Sequence, residues 1–83
     1  MEVKMPVGLT GRILAVDKKY SFVVLNVGKN QGVAKDGKLL VDRDGKLVAK
    51  LRVTTVDHNS SIANILPDWK AGEVREGDEI IRQ

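Results

Sequence analysis

From residue 45 to 66, GKLVAKLRVTTVDHNSSIANIL, apolar and polar positions alternate over the longest run in the chain. Leu47, Ala49, Leu51 and Val53 fall on one face and Lys50, Arg52 and Thr54 on the other, the period of a half-buried strand. The register slips near Thr54 to Val56, which predicts a bulge or sharp bend in a strand over 46–57. A polar turn, Asp57-His58-Asn59-Ser60, leads into a strand from Ser61 to Leu66 that Pro67 is expected to end. Earlier in the chain, LTGRILAVD (9–17) and SFVVLNVG (21–28) read as a strand and its return across an Asp17-Lys18-Lys19 turn. Val23, Leu25 and Val27 form one face of the return strand. Phe22 and Val24 make its second face partly covered, and Phe22 is assigned to the core. KLLVDR (38–43) is a short strand, Asp42-Arg43-Asp44-Gly45 a tight reversal, and DEIIR (78–82) the closing strand. The stretches 28–37 and 67–77 are rich in glycine and polar residues and read as turns, the first with room for one helical turn. Six strands and no convincing helix predict an all-β domain.

A shift of forty residues superposes 10–43 on 50–83 without a gap, placing Arg12 on Arg52, Val16-Asp17 on Val56-Asp57, Ser21 on Ser61, Gly32 on Gly72 and Gly37 on Gly77. Two copies are too few for a solenoid. Two three-stranded units, each unable to bury its apolar face alone, can close on one another about a pseudo-twofold axis and cover each other's edges. The expected architecture is therefore a small six-stranded barrel of the SH3-like or cradle-loop type, built from two ββ-turn-β halves. The paired glycines predict matched turns with positive φ.

The 83 residues make a single domain, 1–83, with too small a core to enclose a sizeable substrate. Cysteine is absent and His58 is the single histidine, so disulfides, thiolate chemistry and a zinc site are not expected. Fourteen Lys and Arg against eleven Asp and Glu give a mildly basic surface without a basic arm. No run is long and apolar enough for a membrane span, and no secretory leader is evident in this chain. It reads as soluble as given, and as a piece that could have been excised from a longer protein.

Gly11-x-Ile13, FVVLNVGKNQGV (22–33), LVDRDGKLVAKLRV (40–53), Ser61-Ile62-Ala63 and Glu76-Gly77-Asp78 together resemble a small bacterial β-barrel module. Such modules include the C-terminal domain of flagellar assembly protein T and similar domains that follow coiled coils in envelope-type proteins. The resemblance implies a structural or interaction role and brings no functional residues with it.

Candidate chemistry is sparse. Asp17, Asp57, His58, Ser60 and Ser61 supply the residue types of a hydrolase triad, but they fall in turns, where such side chains bond nearby backbone. Asp42-Arg43-Asp44-Gly45 opens like a calcium loop, yet its twelfth position is Val53 where a bidentate Glu is required. Gly28-Lys29-Asn30-Gln31-Gly32 lacks the Gly-Lys-Ser/Thr ending of a phosphate loop. No catalytic residue, metal, cofactor or small-molecule substrate is expected.

The expected function is a non-enzymatic structural or protein-interaction module of a larger bacterial protein, engaging a protein partner or a second copy of itself. Its contact residues would lie on the two glycine loops, at Lys29, Asn30, Gln31, Trp69 and Lys70, with Trp69 as an exposed anchor or an indole folded over an apolar edge. The alternative is a weak single-stranded nucleic-acid binder using Lys18, Lys19, Tyr20, Arg52 and Lys70.

Overall fold

The structure, a computed structural model, describes residues 3–83. Its six strands are β1 (Thr10–Asp17), β2 (Phe22–Leu25), β3 (Lys38–Arg43), β4 (Lys46–Val56), β5 (Ser61–Lys70) and β6 (Glu79–Arg82), with one 3-10 turn at Lys29–Gln31. They close into an antiparallel barrel in the order β1-β2-β5-β4-β3-β6. Closure removes the free edges that six short strands would otherwise expose.

Alternation selects most of the core, with Val48 and Ala49 of β4 buried side by side at a register shift as the exception. Val23 and Leu25 of β2, Leu39 and Val41 of β3, Leu51 and Val53 of β4, Ala63 of β5 and Ile80 of β6 point inward and are fully buried. Each full-sized aliphatic side chain so placed contributes about 1.5–3 kcal/mol relative to exposure. The inward phase also excludes Phe22, which is only half-buried on the outer face of β2, as is Ile62 of β5. Phe22 is therefore not a core residue, because Val23 and Leu25 hold the inward positions on either side of Val24.

The bulge expected near Thr54 is present, where the β4–β5 register shifts between Val53 and Thr55. A second lies forty positions earlier, between Ile13 and Ala15 of β1. The β3–β4 reversal is a two-residue turn in which Asp44 (φ 54°) and Gly45 (φ 82°) both take positive φ, the geometry that matches the twist of a hairpin.

Two expectations about the connections fail. Pro67 does not end β5. Leu51 pairs with Ile65 and Ala49 with Lys70, so four residues of β5, 66–69, lie opposite the single Lys50 of β4 and Pro67 sits in the resulting bulge, where no ladder donor is needed. Trp69 consequently lies on a strand and not in a turn. The glycine pairs do not match either. Gly32 (φ 94°) and Gly77 (φ 87°) have positive φ whereas Gly72 and Gly37 do not. The turn equivalent to Gly77, whose N–H donates to the Ile13 carbonyl, is made by Asp36 (φ 67°), whose N–H donates to the Val53 carbonyl.

Strand directions divide the barrel into two ends. One end carries the end of β2, the 3-10 turn, the start of β3 and the β4–β5 turn, and the other carries the β1–β2 turn, the β3–β4 turn, the end of β5 and the connection into β6. The segment before β1 covers only the first. Met5 and Leu9 are buried there. A Cβ at Gly32 would strike the Pro6 ring, and one at Gly37 would strike the Met5 thioether. At the second end, Gly45 and Gly77 have nothing within 4 Å of the same construction and Gly72 meets only a Val48 methyl at 3.9 Å. We call these the capped and the open end.

Candidate functional site

The candidate contact residues divide between the two ends. Lys29, Asn30 and Gln31 form the 3-10 turn of the capped end, docked on the β4–β5 turn. The Lys29 and Asn30 amides donate to the Asp57 and His58 carbonyls at 2.8 Å each, and the Asn30 amide group donates to Asn59 Oδ1 at 2.9 Å. The Gly28 N–H donates to Gln31 Oε1 at 2.7 Å, and those of Gln31, Gly32 and Val33 donate to carbonyls within the turn. Every amide from 28 to 33 is thus engaged, and no nest of free donors is left for a phosphate. Gly28 is required by this packing, since a Cβ there would overlap the Asp57 carbonyl oxygen and the Ser60 backbone.

Trp69 and Lys70 lie at the far end of β5, apart from Lys29–Gln31, so the two glycine loops do not form one surface. Trp69 is 39 % exposed and Lys50 Nζ stands 5.7 Å from its ring centroid, a cation–π contact on one face of the indole. Tyr20, in the β1–β2 turn, is 68 % exposed and carries Lys19 Nζ at 5.3 Å in the same relation. Its N–H donates to Asp17 Oδ1 at 2.9 Å, which holds the turn. Lys18 and Lys70 line a common shallow depression with Val16, Ser21 and Ile65, where Lys70 pairs with Glu73 at 3.4 Å. Lys18, Lys19, Tyr20, Trp69 and Lys70 therefore share the open end. Arg52 stands apart on the outer face of β4, beside Lys38 and Asn64 in the sheet and 4.0 Å from Asp36.

The residue types of a triad do not assemble one. Asp57 Oδ1 accepts the His58 backbone N–H at 2.9 Å, and the buried Ser61 hydroxyl donates to the Val27 carbonyl at 2.8 Å. A nucleophile whose proton is held by a backbone carbonyl has no base to take it. Among the described residues no group of three or more metal-ligating side chains converges, and no helix is long and apolar enough to cross a membrane.

Arg43 and Asp78 are the functional-looking pair that the pattern reading passed over. Arg43 Nε and Nη2 donate to the two oxygens of Asp78 at 2.9 and 2.7 Å, and Nη2 also donates to the Glu73 carbonyl at 2.8 Å. Asp78, 7 % exposed, accepts the Arg75 N–H as well, at 2.9 Å. The Arg43 hydrogen bonds outweigh the cost of burial and hold the Asp78 carboxyl below the usual carboxylate range, while Asp78 raises Arg43 in return. The fork ties the connection after β5 to the end of β3. A signal for it was present. Asp78 is in phase with Ile80, and Arg43 with Leu39 and Val41, so both charges fall on inward registers and need each other.

The chain matches no family model, no curated protein and no solved structure.

Proposed function

We propose that the domain is a non-enzymatic interaction module of a larger bacterial protein, an assembly part of the kind its sequence resembles, and that it meets its partner through the open end. The observation that carries this reading is the unequal covering of the barrel. The segment before β1, with Met5 and Leu9 buried, covers one end, whereas the other, covered by Val74 alone, presents Trp69 and Tyr20 to solvent with lysines over both rings. An indole held on a strand is a low-entropy anchor for a protein surface, since the bulge and Lys50 already fix it before contact. The two halves, on this reading, have diverged from a pseudo-twofold plan by gaining a cap at one end only. The test is a photoreactive phenylalanine analogue placed at position 69 or at position 30 of the parent protein in its own cells. Adducts to a discrete protein, including a second copy of the same chain, are expected from 69 and not from 30. Adducts from 30 alone would move the contact to the capped end and overturn the reading.

A second reading is favoured by one observation, that Lys18, Lys19, Tyr20 and Lys70 lie at the same end of the barrel as Trp69, with a lysine over each ring. A ring with an ammonium over one face offers its other face to a base and its charge to a phosphate, the combination that holds single strands. Amide spectra recorded during titration with a mixed-sequence single-stranded oligonucleotide at near-physiological salt separate the two. Saturable shifts confined to 18–20 and 69–70 would establish the nucleic-acid reading, and their absence would leave the protein partner.

A further inference from the structure

Two Asp-Gly dipeptides occur in the chain, Asp36-Gly37 and Asp44-Gly45, and the fold treats them differently. In any Asp-Gly unit the glycine amide nitrogen can attack the aspartate side-chain carbonyl carbon, because no side chain on the following residue obstructs it. The new C–N bond closes a five-membered succinimide as one water leaves. Water then opens the ring at either carbonyl, regenerating aspartate or giving isoaspartate, whose backbone runs through the former side chain. Atoms balance without any other reagent.

The requirement is a glycine nitrogen that can reach the side chain. The Gly37 N–H donates to the Ala34 carbonyl at 3.1 Å, and Gly37 is buried with the Met5 thioether closed over it. Asp36 is further anchored through its own N–H to the Val53 carbonyl at 2.9 Å and lies beside Arg52. Gly45, in contrast, is exposed at the tip of the β3–β4 turn with nothing near its Cα hydrogens, and its N–H donates to no backbone carbonyl among the described residues. No hydrogen bond to the Asp44 carboxylate occurs among the described residues, and the neighbouring Arg43 is committed to Asp78.

We propose that Asp44 is a site of spontaneous isoaspartate formation in the folded protein and that the capped end protects Asp36 from the same reaction. The modification inserts an extra backbone carbon into a turn whose two residues must both hold positive φ, next to the Arg43 that clamps the connection into β6. The open end is thus where the barrel ages first.

The test is to hold the whole protein at neutral pH for weeks, digest it, and locate isoaspartate by electron-transfer fragmentation, with a urea-unfolded sample in parallel. In the unfolded sample both sites should react at similar rates. In the folded protein the Asp44 rate should exceed that of Asp36 by at least about tenfold, the factor corresponding to breaking one net hydrogen bond to free Gly37. Equal rates in the folded protein, or reaction only in urea, would overturn the proposal. The variant Asp44→Asn supplies an independent readout, since attack by the same Gly45 nitrogen then releases ammonia. Deamidation at position 44 much faster than isomerisation at 36 is expected, and a stable asparagine there would show that the turn holds Gly45 out of reach.

Discussion

The two ends of the barrel are built from similar stretches of sequence and are held by different physics. At the capped end, backbone meets backbone. Gly28 lies against the Asp57 carbonyl and Ser60, Gly32 under the Pro6 ring and Gly37 under the Met5 thioether, and the amides of the 3-10 turn are all donated. At the open end, Gly45, Gly72 and Gly77 stand clear, and the connection into β6 is held by the buried Val74 and by the fork between Arg43 and Asp78. The difference teaches that loops of similar composition can be held by quite different contacts. Lys29, Asn30 and Gln31 look like a polar recognition loop in sequence, yet their polar groups are largely spent on the neighbouring turn.

The sharpest way to break this comparison is to add one carbon to each end. Gly28→Ala drives a methyl into fixed backbone and should cost at least about 3 kcal/mol or prevent folding. Gly72→Ala at the open end should stay within roughly 0.5 kcal/mol, both read from urea unfolding midpoints. Comparable losses at the two positions would dissolve the distinction between the ends. Removing the cap itself is the next largest change. Met5→Ala should cost about 2 kcal/mol from lost burial and the cavity left over Gly37.

Charge supplies the open end's counterpart. Asp78→Asn should cost about 2 kcal/mol at neutral pH, the value of hydrogen bonds to an ionised partner. Because the folded Asp78 carboxyl is held below its unfolded value, its contribution is present above the unfolded pKa. It disappears as pH falls through the lower folded value. The gap between wild type and Asp78→Asn should therefore be constant above about pH 5 and narrow in more acid solution. A gap that widened in acid would mean that the pair does not act as a charge-assisted fork. Smallest of all, Trp69→Ala should change stability by less than about 1 kcal/mol, because the ring is partly exposed and lies outside the core. If the proposed function holds, the same substitution should abolish adduct formation at the open end.

Much of the fold is legible in the sequence because alternation and turn chemistry are local. The inward sets of β2 and, from Ala49 on, of β4, the Asp44-Gly45 reversal and the Thr54 bulge all follow from spacing and residue type, whereas Val48 is buried against the alternation and Leu47 is only half-buried. The failures are of two kinds. Pro67 and Trp69 were misplaced because proline is a strand breaker only where a ladder bond is required, and a bulge of four residues against one removes that requirement. The cap was not foreseen, since Leu9 was read as the start of the first strand and Met5 was given no role, and the contacts of Met5 and Pro6 are with Gly37 and Gly32, far along the chain. That long-range cap makes the two ends differ, and no local pattern announces it.

The asymmetry is tested most directly by native-state amide exchange of the domain. The amides of Lys29, Asn30 and Val33, locked between turns, should exchange only with openings approaching global unfolding. That of Gly72, which reaches the Val48 carbonyl at a long 3.3 Å, should exchange through local openings and far faster. Protection of Gly72 equal to that of Val33 would show two closed ends and contradict the account.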